Sequence, residues 1–214
     1  MLGLLHIPAK TCLTYINCKF SSERTMPDPY FFGYGSLVNL STHDFPDPRP
    51  ARLKGWRRVW RHTDLRQVAF LTATPATDCE IDGMIAHVPN DDWAALDARE
   101  WAYDRVPVTD AVSHDLPHPA EIAVYAVAAE RQSPPSTRYP ILLSYIDVVV
   151  QGYLHRFGEP GVERFFATTG GWEAPIIDDR AEPRYPRHQA LKPAETALVD
   201  VHLAAVSATI TPMG

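Results

Sequence analysis

The sequence predicts an α+β fold, with strands gathered in the first two thirds of the chain and helices in the last third. Three observations carry this. Short runs of β-branched and aromatic residues recur up to Ala128, whereas the chain beyond Tyr139 reads mainly as helix. No internal repeat is present, and no linker interrupts residues 30–170. Segregation of this kind argues against a doubly wound parallel sheet, in which strands and helices alternate.

Taken in order, Tyr30 to Gly33 reads as a buried strand that runs into the tight turn Gly33-Tyr-Gly-Ser36. Ala51 to His62 reads as strand, a turn at Lys54-Gly55, and strand again. Gln67 to Thr72 forms a further strand closed by Pro75, and Ile81 to Val88 alternates as a half-buried strand does. Asn90 is the expected N-cap of a short helix, with Asp91 and Asp92 favouring its positive end. Tyr103 to Val108 and Glu121 to Ala128 read as strands. After Ser133-Pro-Pro-Ser136, a long helix from Pro140 to Phe157 is ended by Gly158, and a second runs from Pro160 to Thr169. Pro193 to Ala205 is expected as a last amphipathic helix.

The 214 residues suffice for one good core, and 45% hydrophobic with 21% charged residues excludes global disorder. We expect a single domain over residues 27–214, with 146–214 as its helical extension and 1–26 as a disordered extension or an over-long start. A net charge of −6 argues against a nucleic-acid surface and leaves small-molecule partners open. Cys12, Cys18 and Cys79 are odd in number and lack metal-ligand spacing, so neither a disulfide framework nor a metal site is expected, and a cytoplasmic location fits. No apolar run approaches the ~20 residues of a membrane helix. His114 and His118 lack a third ligand, and Asp178-Asp179 reads as a solvated loop. Trp56-Arg-Arg-Val-Trp-Arg-His62 reads as a strand with an arginine-lined outer face, or one arginine of it reaches a substrate carboxylate.

Two features could carry chemistry. Gly33 and Gly35 let the backbone approach a ligand, and successive N–H groups of Gly33, Tyr34, Gly35, Ser36 and Leu37 can form a concave set of donors for a carboxylate. An ordinary strand-ending turn would have the same composition. Ser36 lacks the flanking glycines of a nucleophile elbow. Glu100, in Leu96-Asp-Ala-Arg-Glu-Trp-Ala-Tyr103, falls just past the short helix beside Trp101 and Tyr103. Desolvation by aromatics would suit it to proton transfer, whereas pairing with Arg99 or Arg105 would make it a surface ion pair.

Phe32-Gly-Tyr-Gly-Ser-Leu37, Leu96-Asp-Ala-Arg-Glu100 and Ser133-Pro-Pro-Ser-Thr-Arg-Tyr139 together resemble the γ-glutamylcyclotransferases in order and spacing. The resemblance covers residues 30 to about 145. It implies a mixed β-barrel with helices packed outside. It also implies that Gly33 to Leu37 hold a γ-glutamyl head, that Glu100 is the catalytic acid/base and that Tyr139 contacts substrate. No cofactor is implied. The reaction would release 5-oxoproline from a γ-glutamyl amino acid, peptide or amine by attack of the substrate's own α-amine. A glutathione-specific enzyme, a γ-glutamylamine enzyme, or a non-catalytic binding module on the same fold are the alternatives, because Leu37 occurs in several branches. Phe165-Phe-Ala-Thr-Thr-Gly-Gly-Trp172, Ile176-Ile-Asp-Asp-Arg180 and Arg184-Tyr-Pro-Arg187 lie outside the pattern and could form a lid or a homodimer contact, or an added helical layer with a surface loop.

Overall fold

The computed structural model describes residues 28–65 and 67–213. The expected extension over 1–26, with Cys12 and Cys18, lies outside the described residues. Strand β1 (Asp28–Gly33) leads through a 3-10 turn at Ser36–Val38 to a long hairpin of β2 (Arg49–Arg61) and β3 (Phe70–His87). Helix α1 (Ala94–Arg99), β4 (Asp104–Pro107), β5 (Val112–Ser113) and β6 (Ala120–Ala126) follow. The two-residue β7 (Ile141–Leu142) runs into the long α2 (Leu143–Ala167), and β8 (Thr169–Gly170), β9 (Ile176–Asp178), α3 (Pro193–Ala205) and β10 (Ile210–Pro212) complete the order.

The main sheet has the order β4-β6-β1-β3-β2-β5, with β8 added parallel to β2. β1 is central, antiparallel to β3 with Gly33 opposite Met84 and parallel to β6 with Phe32 opposite Val124. The expected mixed β-barrel is present as a curled half-barrel, since β4 and β5 end the sheet without pairing with each other. Both faces of β1 are covered. Phe32 joins the main core with Leu53, Ile81 and Met84 of the sheet and Ile146, Val149 and Tyr153 of α2. Phe31 faces a second cluster with Leu96 of α1, Leu37 and Tyr125. Each phenylalanine is essentially fully buried, which favours the folded state by about 1.5–3 kcal/mol per side chain. β1 thereby fixes the start of the 33–37 turn.

Several expectations are corrected. Lys54-Gly55 is not a hairpin turn: Gly55 (φ +76°) sits at a break in register between Lys54 and Trp56, and the strand continues. Pro75 does not end its strand, because it lies at that break, opposite Trp56, where β3 is exposed. Asn90 is not the N-cap of α1. It has φ 58° in a preceding 3-10 turn, and the Asp92 carboxylate accepts from the Ala94 N–H at 3.1 Å. The break expected at Gly158 is present: its backbone (φ 65°, ψ −173°) leaves the helical region and divides α2 into the two helical stretches read from the sequence. Arg57 does point outward, but Arg58 is fully buried and donates to Thr169 Oγ1, the Asp82 carbonyl and the Tyr153 hydroxyl. Burial pushes its guanidinium below the ordinary arginine value, against the opposing pull of Tyr153 and Asp82.

Asp178-Asp179 is not a solvated loop. Asp179 is fully buried, and its carboxylate accepts from the Ser144 N–H at 2.8 Å, the Ser144 hydroxyl at 2.6 Å and the Arg184 N–H at 2.9 Å. Arg180 spans Asp147 of α2 at 2.7 Å and Asp200 of α3 at 2.7 Å. Residues 176–187 are thereby strapped across the first turn of α2. No helix of the described residues is long and apolar enough to cross a membrane.

Candidate active site

The turn after β1 is built by close approach. At Gly35 (φ −115°, ψ −129°) a Cβ would stand 2.7 Å from the Tyr145 hydroxyl, so only glycine fits without displacing that ring. The turn closes on itself through Val38 N–H to the Gly35 carbonyl at 3.0 Å and Asn39 N–H to the Ser36 carbonyl at 3.1 Å. Asn39 then donates to the Val148 carbonyl at 3.0 Å and to Gln151 at 2.9 Å, which docks the turn on α2. The Tyr34 side chain points into the core, donating to the Tyr125 carbonyl at 2.6 Å and accepting from the Ala73 N–H at 3.1 Å. Burial, and next the nearby Glu100 charge, push its phenol well above the usual tyrosine range, so it stays protonated. Ser36 Oγ accepts from the Tyr185 hydroxyl at 2.8 Å and from Arg99 at 3.2 Å. In this geometry both partners donate to the Ser36 oxygen.

Glu100 is the C-cap residue of α1, held by its N–H to the Leu96 carbonyl at 2.9 Å. Its carboxylate lies 3.2 Å from Arg99 Nε, and the side chains are only 16% and 8% exposed for Glu100 and Arg99. The ion pair is therefore present, but it is not a surface pair. Arg99 also donates to the Thr42 carbonyl at 2.9 Å. Trp101, which the sequence suggests as a neighbour that desolvates Glu100, is itself 57% exposed. Tyr103, Tyr125 and Tyr145 line the recess with Glu100. The Tyr103 hydroxyl is anchored on the Leu71 carbonyl at 3.0 Å. Tyr145, in the first turn of α2, meets Trp60 and Tyr185 edge-on at 5.8 and 4.9 Å. Its phenol is held well above the ordinary value by burial first, then by Tyr185 and the Glu100 charge.

Gly33, Tyr34, Gly35, Ser36, Leu37 and Glu100 all line one recess of about 320 Å³, together with Phe32, Leu71, Tyr103, Tyr125 and Tyr145. A second lobe of about 530 Å³ shares Ser36, Glu100, Tyr103 and Tyr145 with it and extends to Val68, Ala69, Phe70, Leu142, Tyr185 and Arg187. Tyr139 lines neither lobe. Its ring stacks on His62 with centroids 3.7 Å apart, in the loop before β7. Sequence reasoning missed Tyr145, Tyr185 and Arg187. Only the Arg184-Tyr-Pro-Arg187 run carried a signal, through its place outside the recognised pattern. Among the described residues no group of three or more His, Cys, Asp or Glu side chains could hold a metal ion.

Residues 31–144, more than half of the chain, match the family described as γ-glutamyl cyclotransferase, AIG2-like. The chain belongs to this family. Among solved structures it is similar to a γ-glutamyl cyclotransferase at 14% identity, over 80% of this chain and 98% of that one, with a TM-score of 0.50. It is also similar to YkqA from Bacillus subtilis at 18% identity, over 64% of this chain and 52% of that one, with a TM-score of 0.52. The uncharacterized protein loc79017 from Homo sapiens is similar at 14% identity, over 80% and 97% of the two chains, with a TM-score of 0.50. At such identities these likenesses establish the fold. No curated protein sequence matches the chain. The cyclotransferase family pattern ends at residue 144, so Tyr145, Tyr185 and Arg187 lie outside it.

Proposed function

We propose that the protein is a γ-glutamyl cyclotransferase that releases 5-oxoproline from a γ-glutamyl compound, with Glu100 as the acid/base. The observation that carries this reading is that Glu100 and the glycine turn, more than sixty residues apart in sequence, line the same recess. In the reaction the substrate's α-amine attacks its own γ-carbonyl. A C–N bond forms, the γ-amide C–N bond breaks, and a free amine leaves with a proton. Glu100 takes one proton from the attacking ammonium and returns it to the leaving nitrogen, so one carboxylate serves both steps. The second proton that the attacking nitrogen sheds on becoming the lactam N–H passes to solvent. The protein's larger task is orientation: the chain must be folded so that amine meets carbonyl, which suits a recess walled by Tyr103, Tyr125 and Tyr145. Backbone donors of residues 33–37 hold the α-carboxylate or the carbonyl oxygen, and the Ser36 hydroxyl, accepting from Tyr185 and Arg99, has its own proton to offer. This chemistry calls for no redox group or protein nucleophile. Tyr139, to which the resemblance gives a substrate contact, lines neither lobe, and this mechanism gives it no role. The partner is a small molecule, and a reducing cytoplasm fits the cysteine usage.

Incubation with a γ-glutamyl amino acid, glutathione and a γ-glutamylamine, with 5-oxoproline read by mass spectrometry, tests the reading. Glu100→Gln is expected to keep the melting temperature within a few degrees and to lower turnover by about 10²-fold or more. Near wild-type turnover in that variant would refute the role of Glu100. No 5-oxoproline from any substrate would instead favour a binding module.

A further inference from the structure

The second lobe of the recess is closed by residues that the family pattern does not contain. β9 is held between β7 and β10, and Asp179 and Arg180 fasten the segment that follows to α2 and α3. The Tyr185 N–H then reaches the Ser144 hydroxyl at 3.3 Å, and its phenol crosses to Ser36 at 2.8 Å. Tyr185 thus forms part of the outer lobe's wall beside Ser36 of the turn, and Arg187 lines the same lobe.

The chemistry of this lobe is divided. Val68, Ala69, Phe70 and Leu142 give it an apolar lining. Of the two guanidinium groups among its described lining residues, Arg99 is committed to Glu100, Thr42 and Ser36. Arg187 is exposed, and no carboxylate among the described residues pairs with it. Glu100 stands where the lobes meet, so the amide to be broken lies there and the departing amine extends into the outer lobe.

We propose that Tyr185 and Arg187 select the leaving group: the outer lobe takes one with an apolar body and an anionic end, the amino acid of a γ-glutamyl dipeptide, over the same amine without its carboxylate. This rests on the cyclotransferase reading above. A guanidinium meeting a carboxylate at a half-open rim contributes up to about 1 kcal/mol, which is roughly fivefold in affinity.

The test compares γ-glutamyl-leucine with γ-glutamyl-3-methylbutylamine, which differ only in the carboxylate. The wild-type protein is expected to prefer the dipeptide by about fivefold in kcat/KM. Arg187→Ala brings the two within about twofold by raising KM for the dipeptide, and Arg187→Lys keeps part of the preference as a point charge. Equal values in the wild type, or an undiminished preference in Arg187→Ala, overturn the assignment. Calorimetric binding of both compounds to Glu100→Gln, with and without Arg187→Ala, separates this from the underlying reading. If the wild type forms no 5-oxoproline but Glu100→Gln binds the dipeptide selectively through Arg187, the cyclotransferase reading falls and the lobe assignment stands. Equal binding of the two compounds, or binding of neither, overturns the assignment itself.

Discussion

Replacing Asp179 tests how the wall of the outer lobe is held. Its carboxylate has no solvent exposure and accepts three hydrogen bonds, two from Ser144 and one from the Arg184 N–H. Hydrogen bonds to a charged group contribute about 1.5–3 kcal/mol each, and a carboxylate at a helix N-terminus adds about 0.5–1 kcal/mol. Removing the carboxylate also relieves its own desolvation, which offsets several kcal/mol of that sum. Asp179→Ala leaves the Ser144 N–H unpaired in the core, and the net loss comes to about 3 kcal/mol. Asp179→Asn retains one oxygen for the Ser144 N–H but turns an NH₂ toward Arg184, and about half the loss is expected. Urea unfolding followed by tryptophan fluorescence reads both, with a midpoint shift of roughly 1 M for the alanine variant. A loss below about 0.5 kcal/mol, the ordinary value for a surface position, would refute the anchoring argument. So would an asparagine variant as unstable as the alanine one. Slackening of residues 176–187 should also weaken the dipeptide preference assigned to Arg187.

The remaining expectations concern the turn and the last helix. Gly35→Ala places a methyl group 2.7 Å from the Tyr145 hydroxyl, whose ring is held between Trp60 and Tyr185. Overpacking of about 1–3 kcal/mol and a fall in kcat/KM beyond tenfold are expected, and activity within twofold of wild type would show that the close approach is dispensable. Glu195 caps α3 and accepts from the Lys192 N–H at 2.8 Å and from Gln151 at 3.1 Å, with His155 at 2.8 Å. Burial alone would raise its pKa, but these partners together hold it below the usual carboxylate value. A depressed folded-state pKa stabilises above the unfolded value of about 4.3, and that contribution disappears as pH falls through the lower, folded value. The stability gap between wild type and Glu195→Gln should therefore be full at pH 6 and shrink below about pH 4. A gap that stayed constant from pH 6 to 3 would count against it.

How much of this was legible in the sequence depends on the range of the interaction. Tyr30 to Gly33 and Pro193 to Ala205 were readable because local pattern and tertiary burial agree there. Their junctions were not. Lys54-Gly55 has the composition of a turn, but the pairing of β2 with β3 on both sides carries the strand through it. For the site, the turn and Glu100 could be named because three short motifs stood together, whereas neither is specific alone. Trp101 follows Glu100 in sequence yet faces solvent, since the chain leaving α1 turns Ala102 inward instead. Tyr145 and Tyr185 were invisible for the converse reason. Each reads as an ordinary aromatic, and the partners that define their roles, Gly35 and Ser36, lie more than a hundred residues away. Asp179 misled in the same manner: two adjacent aspartates suggest water until the Ser144 N–H is placed opposite one of them.

The parallel pairing of β9 with β10 has a consequence for biogenesis. Ile176 pairs with Ile210 and Asp178 with Pro212, so the edge that steadies Asp179 and the wall beyond it is contributed by residues synthesised well after Glu100. Gly33–Leu37 and Glu100, which line the recess, are encoded upstream of that edge and emerge from the ribosome before it. A nascent chain would thus carry the turn and Glu100 before the segment proposed to select the leaving group is fastened, and parallel pairing across more than thirty residues closes slowly. Until that pairing closes, the candidate site stands with its outer wall unfastened.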